Sequence, residues 1–342
     1  MFYQQFIKDF STLGLIISKW LTNKENNVAL DNAAKLACQQ NPFFTLPMIR
    51  YALSAISKDF LNKEALSEWI KKYDNLTNRY TSNYEKFIGI IAAGNIPLVV
   101  FHDFLCVMAC KKRALIKLSS KDNLFFPAIV NELYKINDFW REQIFFTNTI
   151  NPDDNNVEKI IFMGSDKTAI EIRNRYINKP MLIRSSRFSF AILNGNESNE
   201  EILALGKDIF LYYGLGCRSV STLFIPQNYD INTLVKKLSP LKELVSSNHY
   251  KNIYAKNKAI AIMDNENFID GNFFIIKNNS PKSVPIGVLN YIRYTCNKDI
   301  SDFEEKFSDS IQKKYSNFGV AQNPRLDEYP DNKDTIQFIM NK

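Results

Sequence analysis

Strand-length apolar runs alternate with helical stretches from Phe87 to Ile177, and this alternation constrains the fold more than any other feature. FIGIIAA is a continuous apolar run, GNIP a turn, and LVVFHDFLCVMACKK a buried helix. ALIKLSS reads as a second strand, LFFPAIVNELYKI as a helix, QIFFTNT and KIIFMGS as strands, and DKTAIEIRNRYI as a helix. Elements in this order imply right-handed parallel crossovers and an open α/β sheet. Ligands of such sheets lie outside the carboxyl ends of the strands. The turns GNIP, KLSS and MGSDK all fall at those ends.

The rhythm before Phe87 is different. IKDFSTLGLIISKWL, NVALDNAAKLACQQN, LPMIRYALSAISKDFL and KEALSEWIKKY repeat apolar residues at three and four, so residues 1 to about 80 are predicted to be helices covering the sheet domain. Pro42 and Pro47 separate segments, and Trp20, Phe43 and Phe44 read as core. After Met181 come a strand, FSFAIL, a loop, NGNESNE, a helix-like run from Glu201 to Tyr213 and a strand-like run from Val220 to Ile225. Beyond residue 230 the predicted helices are INTLVKKLSPLKELVSS and SDFEEKFSDSIQKKY, and the predicted strands are AIAIM, NFFII and SVPIGVLNYIRY. The tail AQNPRLDEYPDNKD is polar and turn-rich before a short apolar end, TIQFIM.

At 342 residues and 45% hydrophobic content the chain can bury a large core and is expected to form two globular domains. No apolar run approaches the roughly 20 residues that span a bilayer, and the N-terminus carries charge where a signal segment would be apolar, so a cytoplasmic protein is expected. Five cysteines in no regular framework indicate reduced thiols. Cys106 and Cys110 are four apart, but no second Cys/His cluster completes a tetrahedral set, so no metal is expected. The net charge of +7 is spread along the chain rather than gathered into a basic stripe, which argues against nucleic acid as a partner. Only two histidines occur, which disfavours a Ser-His-Asp hydrolase. His102 and Asp103 are neighbours about 100° apart on a helix and read as helix-start residues, while His249 reads as a surface-loop residue.

The stretch YYGLGCRSVSTLFIP places Cys217 between a helix-like and a strand-like run, with Gly214 and Gly216 beside it. Glycine permits a tight turn that would aim the thiol outward and let a substrate carbonyl come close. An isolated G-x-G-C equally describes a small buried hydrophobe. Three other turns bear on that choice. Asn95 lies in GNIP, where an Asx turn is the simple reading. Lys117 ends the strand-like IKLSS, with Ser119, Ser120 and Lys121 following. Gly164 and Ser165 open a helix after IIFM, as an ordinary N-cap or as an anion site.

Taken in order, these motifs resemble the aldehyde dehydrogenase superfamily, and within it the LuxC-type acyl-CoA reductases. The resemblance runs motif by motif from about Phe87 to Pro226, and FGVAQNPRLDEYPDNKDT is similar to the C-terminal signature of that branch. It implies an aldehyde dehydrogenase-like α/β fold: a helical cover over 1–85, a Rossmann-like nicotinamide cofactor domain over 86–193, an α/β catalytic domain over 194–318, and a tail over 319–342 that returns to the cofactor domain or an oligomer interface. Cys217 would be the nucleophile. Asn95, with the Cys217 amide, would stabilise the oxyanion. Lys117, Ser119 and Ser120 would bind the adenosine ribose, and Gly164 and Ser165 would approach the pyrophosphate.

Where NAD-preferring relatives carry an acid three positions beyond the lysine, this chain has Ser120, so NADPH is the expected cofactor, with NADH the alternative. Aldehyde-oxidising relatives place a glutamate in a Glu-Leu-Gly-Gly motif. The matching LIRSSRFSF has no carboxylate to activate water, which fits CoA-linked reduction. The resemblance thus implies reduction of a fatty acyl-CoA to the aldehyde, an acyl-protein synthetase as partner, and a homo-oligomer. The alternatives are an acyl-phosphate reductase of the same superfamily and a non-catalytic acyl-binding subunit.

Overall fold

A computed structural model of the chain describes residues 2–73, 86–279 and 284–341. The chain divides into two units, Met1–Ser185 with Pro324–Lys342, and Ser186–Asn323.

In the first unit the apolar runs form strands β1 (Phe87–Ile91), β2 (Arg113–Lys117), β3 (Ile144–Phe146), β4 (Val157–Met163) and β5 (Met181–Arg184). All pair in parallel, in the order β3-β2-β1-β4-β5. Helices Phe101–Ala109, Phe125–Ile136 and Asp166–Arg175 make crossovers. The sheet is therefore the open α/β type that the alternation predicts, with one strand more: β5 lies in the LIRSS stretch, too short to stand out.

Among the described residues four α-helices precede the sheet: Phe2–Leu21, Val28–Gln40, Leu46–Ala55 and Lys63–Lys71. Side chains of Asn27, Thr45 and Asn62 cap the last three by accepting backbone N–H groups. The helical region expected to reach residue 80 is described to residue 73, and 74–80 lies outside the described residues. The apolar face of the first helix (Phe6, Phe10, Leu13, Ile17, Trp20) shares one core with Ile88, Ile90, Phe104 and Phe126. Asp9 is buried in that core and accepts from Asn137 Nδ2 at 2.8 Å and Trp140 Nε1 at 3.0 Å.

The tail returns to this unit through polar anchors. Tyr329 Oη accepts from Trp69 Nε1 at 2.8 Å and lies 2.7 Å from Tyr73 Oη, and His102 Nε2 is 2.9 Å from the Leu326 carbonyl. Arg184 donates from Nε and Nη2 to the two oxygens of Asp103 at 3.1 and 3.0 Å, and Thr335 Oγ1 donates to Asp103 at 2.8 Å. Burial alone would raise the Asp103 carboxyl, but the Arg184 guanidinium holds it below the usual carboxylate range. His102 and Asp103 are thus helix-start residues with buried structural partners.

The second unit carries β6 (Phe188–Ile192), β7 (Val220–Pro226), β8 (Ile269–Asp270), β9 (Ile275–Asn278), β10 (Val288–Tyr294) and β11 (Ile311–Tyr315), in the order β11-β6-β7-β10-β9-β8. Every pair is parallel except β8 with β9. Three expectations are corrected here. IQKKY is strand β11, not the end of a helix: the helix Asn297–Lys306 stops, and the next residues pair with β6. The misreading arose because Phe303, Phe307 and Ile311 continue a spacing of four, while the lysines resemble a solvated helix face although they mark a sheet edge. AIAIM belongs to the helix Asn248–Met263: Ile260, Ile262 and Met263 are exposed, so their alternation had no sheet face to serve. His249 is exposed as expected, but in the first turn of that helix.

Candidate active site

In the first unit β1, β2 and β4 end level, Ile91 pairing with both Lys117 and Phe162. The connection after β1 crosses to β2 on one side, while β4 lies on the other. That reversal makes the carboxyl edge of β1 and β4 the topological switch point of the sheet. Asn95 follows β1, Lys117, Ser119 and Ser120 end and follow β2, and Gly164 and Ser165 follow β4, so one edge gathers all six.

The loops after β1 and β2 are tied together. Asn41, buried at the end of the second helix, donates Nδ2 to the carbonyls of Gly94 and Lys121, each at 3.2 Å. A Cβ on Gly94 would fall 2.7 Å from Ser119 Oγ, so only glycine allows this approach. Leu98 holds a left-handed φ of 59°, rare for a branched residue, and its N–H donates to Asp122 Oδ2 at 3.1 Å. Asp122 is buried, and among the described residues its Oδ1 has no hydrogen-bond partner. Burial pushes this carboxyl up to about 7 against the pull of the Leu98 N–H. The loop's carboxylate thus turns inward, while Ser120 and Lys121 are exposed. Ser165 Oγ caps the helix Asp166–Arg175 by accepting from Thr168 N at 3.3 Å, and Asp166 stands in its first turn. An anion there would meet a carboxylate as well as the helix dipole.

In the second unit Cys217 is half-buried between the helix Asn199–Phe210 and β7. The turn that delivers it is unusual: Tyr212, Tyr213 and Gly214 hold φ of 54°, 58° and 73° in succession. Two consecutive tyrosines in the left-handed region cost about 1–3 kcal/mol each, and such strain clusters at functional sites. Packing holds it: both rings are buried, and Tyr213 stacks on Tyr250 at 5.4 Å. Gly216 to Ser219 then form a tight turn, closed by Ser219 N donating to the Gly216 carbonyl at 3.0 Å, with Cys217 and Arg218 at its centre. Ser189 on β6 donates Oγ to the Cys217 carbonyl at 2.9 Å. Tyr315, at the end of β11, lies beside Arg218. Burial pushes its hydroxyl up to about 12 against the pull of Arg218, with Asp208 and Cys217 adding to the rise.

A cleft of about 360 Å³ opens at the opposite end of β7, lined by Asn194, Glu197, Pro226, Tyr229 and Lys237 among others. The six residue steps of β7, ~3.3 Å each, set it ~20 Å along the strand from the cysteine turn. None of the residues singled out in the sequence lines it. Those that sequence reasoning missed are Asn41, Asp122, Ser189, Asp208, Tyr315 and Gln322. Of these only Asp122, two residues past Ser120, had a local signal.

No family model matches the sequence, and no curated protein is similar to it. Solved structures are similar in fold. Aldehyde dehydrogenase 21 from Physcomitrella patens, in complex with the reaction product succinate, is 11% identical over 98% of this chain and 84% of that one, with a TM-score of 0.68. An NAD-dependent aldehyde dehydrogenase from Sinorhizobium meliloti is 9% identical over 94% and 72%, with a TM-score of 0.66. The NAD+ complex of an aldehyde dehydrogenase from Bacillus cereus is 12% identical over 89% and 69%, with a TM-score of 0.62. The protein has an aldehyde dehydrogenase-like α/β fold with a parallel, Rossmann-like sheet. Among the described residues no helix is long and apolar enough to cross a membrane.

Proposed function

We propose that this protein is a cytoplasmic oxidoreductase of the aldehyde dehydrogenase type that reduces a fatty acyl-CoA to the aldehyde through an S-acyl-cysteine on Cys217. The observation that carries the reading is the strained turn of Tyr212, Tyr213 and Gly214, which presents a half-buried thiol at the head of β7 with its carbonyl held by Ser189. The Cys217 sulfur attacks the thioester carbon, the oxygen takes the electron pair, and collapse expels CoA as its thiol. Asn95 and the Cys217 amide are the donors proposed for that oxygen. The segment 182–190 has no carboxylate, so water lacks a base and the acyl group stays on sulfur.

The loop after β2 fits a nicotinamide cofactor with a 2′-phosphate. Its exposed residues are Ser120 and Lys121, Ser119 is half-buried beside Gly94, and its acid is turned away onto Leu98. Lys117, Ser119 and Ser120 would hold the ribose end, with Gly164 and Ser165 near the pyrophosphate. When bound, NADPH supplies hydride. The overall balance is acyl-CoA, NADPH and a proton giving aldehyde, CoA and NADP+.

The testing experiment is intact mass after incubation with palmitoyl-CoA alone. One acyl group should remain on the wild type and none on Cys217→Ala. Equal labelling of both proteins overturns the nucleophile, and no labelling of the wild type overturns the thioester substrate. In the latter case acyl phosphate with NADPH, followed by absorbance loss, tests the related reductase activity. An acyl-protein synthetase partner and a homo-oligomer belong to the same reading and are tested by co-elution and by light scattering.

A further inference from the structure

The turn that carries Cys217 is held from a part of the chain about a hundred residues away. Asp208, in the last turn of the helix Asn199–Phe210, is 1% exposed, and its carboxylate accepts from Gly319 N at 2.6 Å and Ala321 N at 3.0 Å. Burial raises this carboxyl, and the backbone amides of the 319–321 segment pull it back. Charge-assisted bonds of this kind, in a site with little water, are among the stronger ties a protein makes. The next residue, Gln322, donates Nε2 to Ser219 Oγ at 3.0 Å. Ser219 is buried and closes the turn in which Cys217 stands, while Ser189 holds the Cys217 carbonyl from the other side. The strap 316–323, which follows Tyr315 beside Arg218, thus reaches the residue two places beyond the thiol.

We propose that Asp208 and Gln322 are positioning residues for Cys217: Asp208 anchors the strap 316–323, and Gln322 fixes the far end of the cysteine turn through Ser219. The proposal rests on Cys217 as the reactive thiol. Neither residue bonds the sulfur, and both act on where the turn holds it. A carboxylate gripping the amides of Gly319 and Ala321, one with each oxygen, cannot slide along the strap, so the Gln322 amide arrives at Ser219 already placed.

The test uses the full chain and the rate of alkylation by iodoacetamide, read for the Cys217 peptide by mass spectrometry across a pH series. Cys296, which is exposed, serves as the internal reference. Gln322→Ala and Ser219→Ala should each slow Cys217 alkylation roughly threefold to tenfold, the equilibrium weight of one hydrogen bond, with Cys296 unchanged. The double variant should be no slower than either single one, because both remove the same bond. Asp208→Asn should slow Cys217 at least as much. Should that variant fail to fold, the Gln322 and Ser219 pair decides alone.

Cys217 rates within twofold of wild type or faster in Gln322→Ala, or slowing that multiplies in the double variant, overturn the proposal. Alkylation needs no acyl-CoA, so a wild type that is not acylated refutes the functional reading while leaving this outcome separately readable. With activity in hand, Gln322→Ala should lower kcat and leave the acyl-CoA KM within twofold. A fall in thermal stability without that split points to a structural role only and refutes the assignment.

Discussion

Replacing Asp122 by Asn should make the first unit more stable at alkaline pH than at acid pH relative to wild type. Asp122 is 3% exposed, and among the described residues its carboxylate accepts from the Leu98 N–H through Oδ2 while Oδ1 has no hydrogen-bond partner. Burial raises the carboxyl from its ordinary 3.8 to about 7. A raised carboxyl stabilises the fold where it is protonated, fully below about pH 4, and that contribution is lost as the pH climbs through about 7. At about 1.4 kcal/mol per pH unit the interval corresponds to roughly 4 kcal/mol. Asn keeps an acceptor for Leu98 and cannot ionise. The unfolding free energy of Asp122→Asn minus that of wild type should therefore rise by about 2–3 kcal/mol between pH 5 and pH 8 and then level off. Urea denaturation followed by tryptophan fluorescence isolates the right unit, because Trp20, Trp69 and Trp140 all lie in Met1–Ser185. A difference that stays constant within about 0.5 kcal/mol over that range, or falls, refutes the argument that an uncompensated carboxylate underlies the GNIP turn.

Other outcomes follow from the same structure. Ser120→Asp should raise the KM for NADPH roughly tenfold by placing a carboxylate near the 2′-phosphate, and should spare NADH, as initial rates with the two cofactors would show. Asp103→Asn should cost about 3–5 kcal/mol in urea denaturation, since Arg184 would be left buried without its counter-charge. Ser189→Ala should cost about 1 kcal/mol of stability and slow acylation of Cys217 in a mass-resolved time course, because the carbonyl it holds loses its side-chain donor.

The first sheet could be read from the chain because its strands are buried on both faces and therefore continuous in apolar character, as FIGII and KIIFM are. The turns carrying Asn95, Lys117 and Gly164 could be read because in a parallel sheet the strand order places them at one edge. Strand β11 could not: IQKKY is an edge strand whose lysines, Lys313 half-buried and Lys314 exposed, carry the same signal as a helix surface, and its partner Phe188 lies more than a hundred residues away. The same distance hid the supports of the candidate site. Asn41 reaches Gly94 across 53 residues, and Gln322 reaches Ser219 across 103. Neither has a spacing that a window of sequence could register.

These remote ties and the backbone strain belong together. Leu98, Tyr212 and Tyr213 all stand in left-handed conformations that a branched or aromatic residue leaves unless its surroundings forbid it. At Leu98 the restraint is Asp122, and the loop is further fixed by Asn41. At the tyrosines it is the stack on Tyr250, with Ser189 and Gln322 fixing the turn that follows. A loop whose shape came from local propensity would need none of these, and its glycines would suffice. GNIPL and YYGLGC are thus both shaped against local propensity and both fixed from far along the chain, as the roles proposed for Asn95 and Cys217 require.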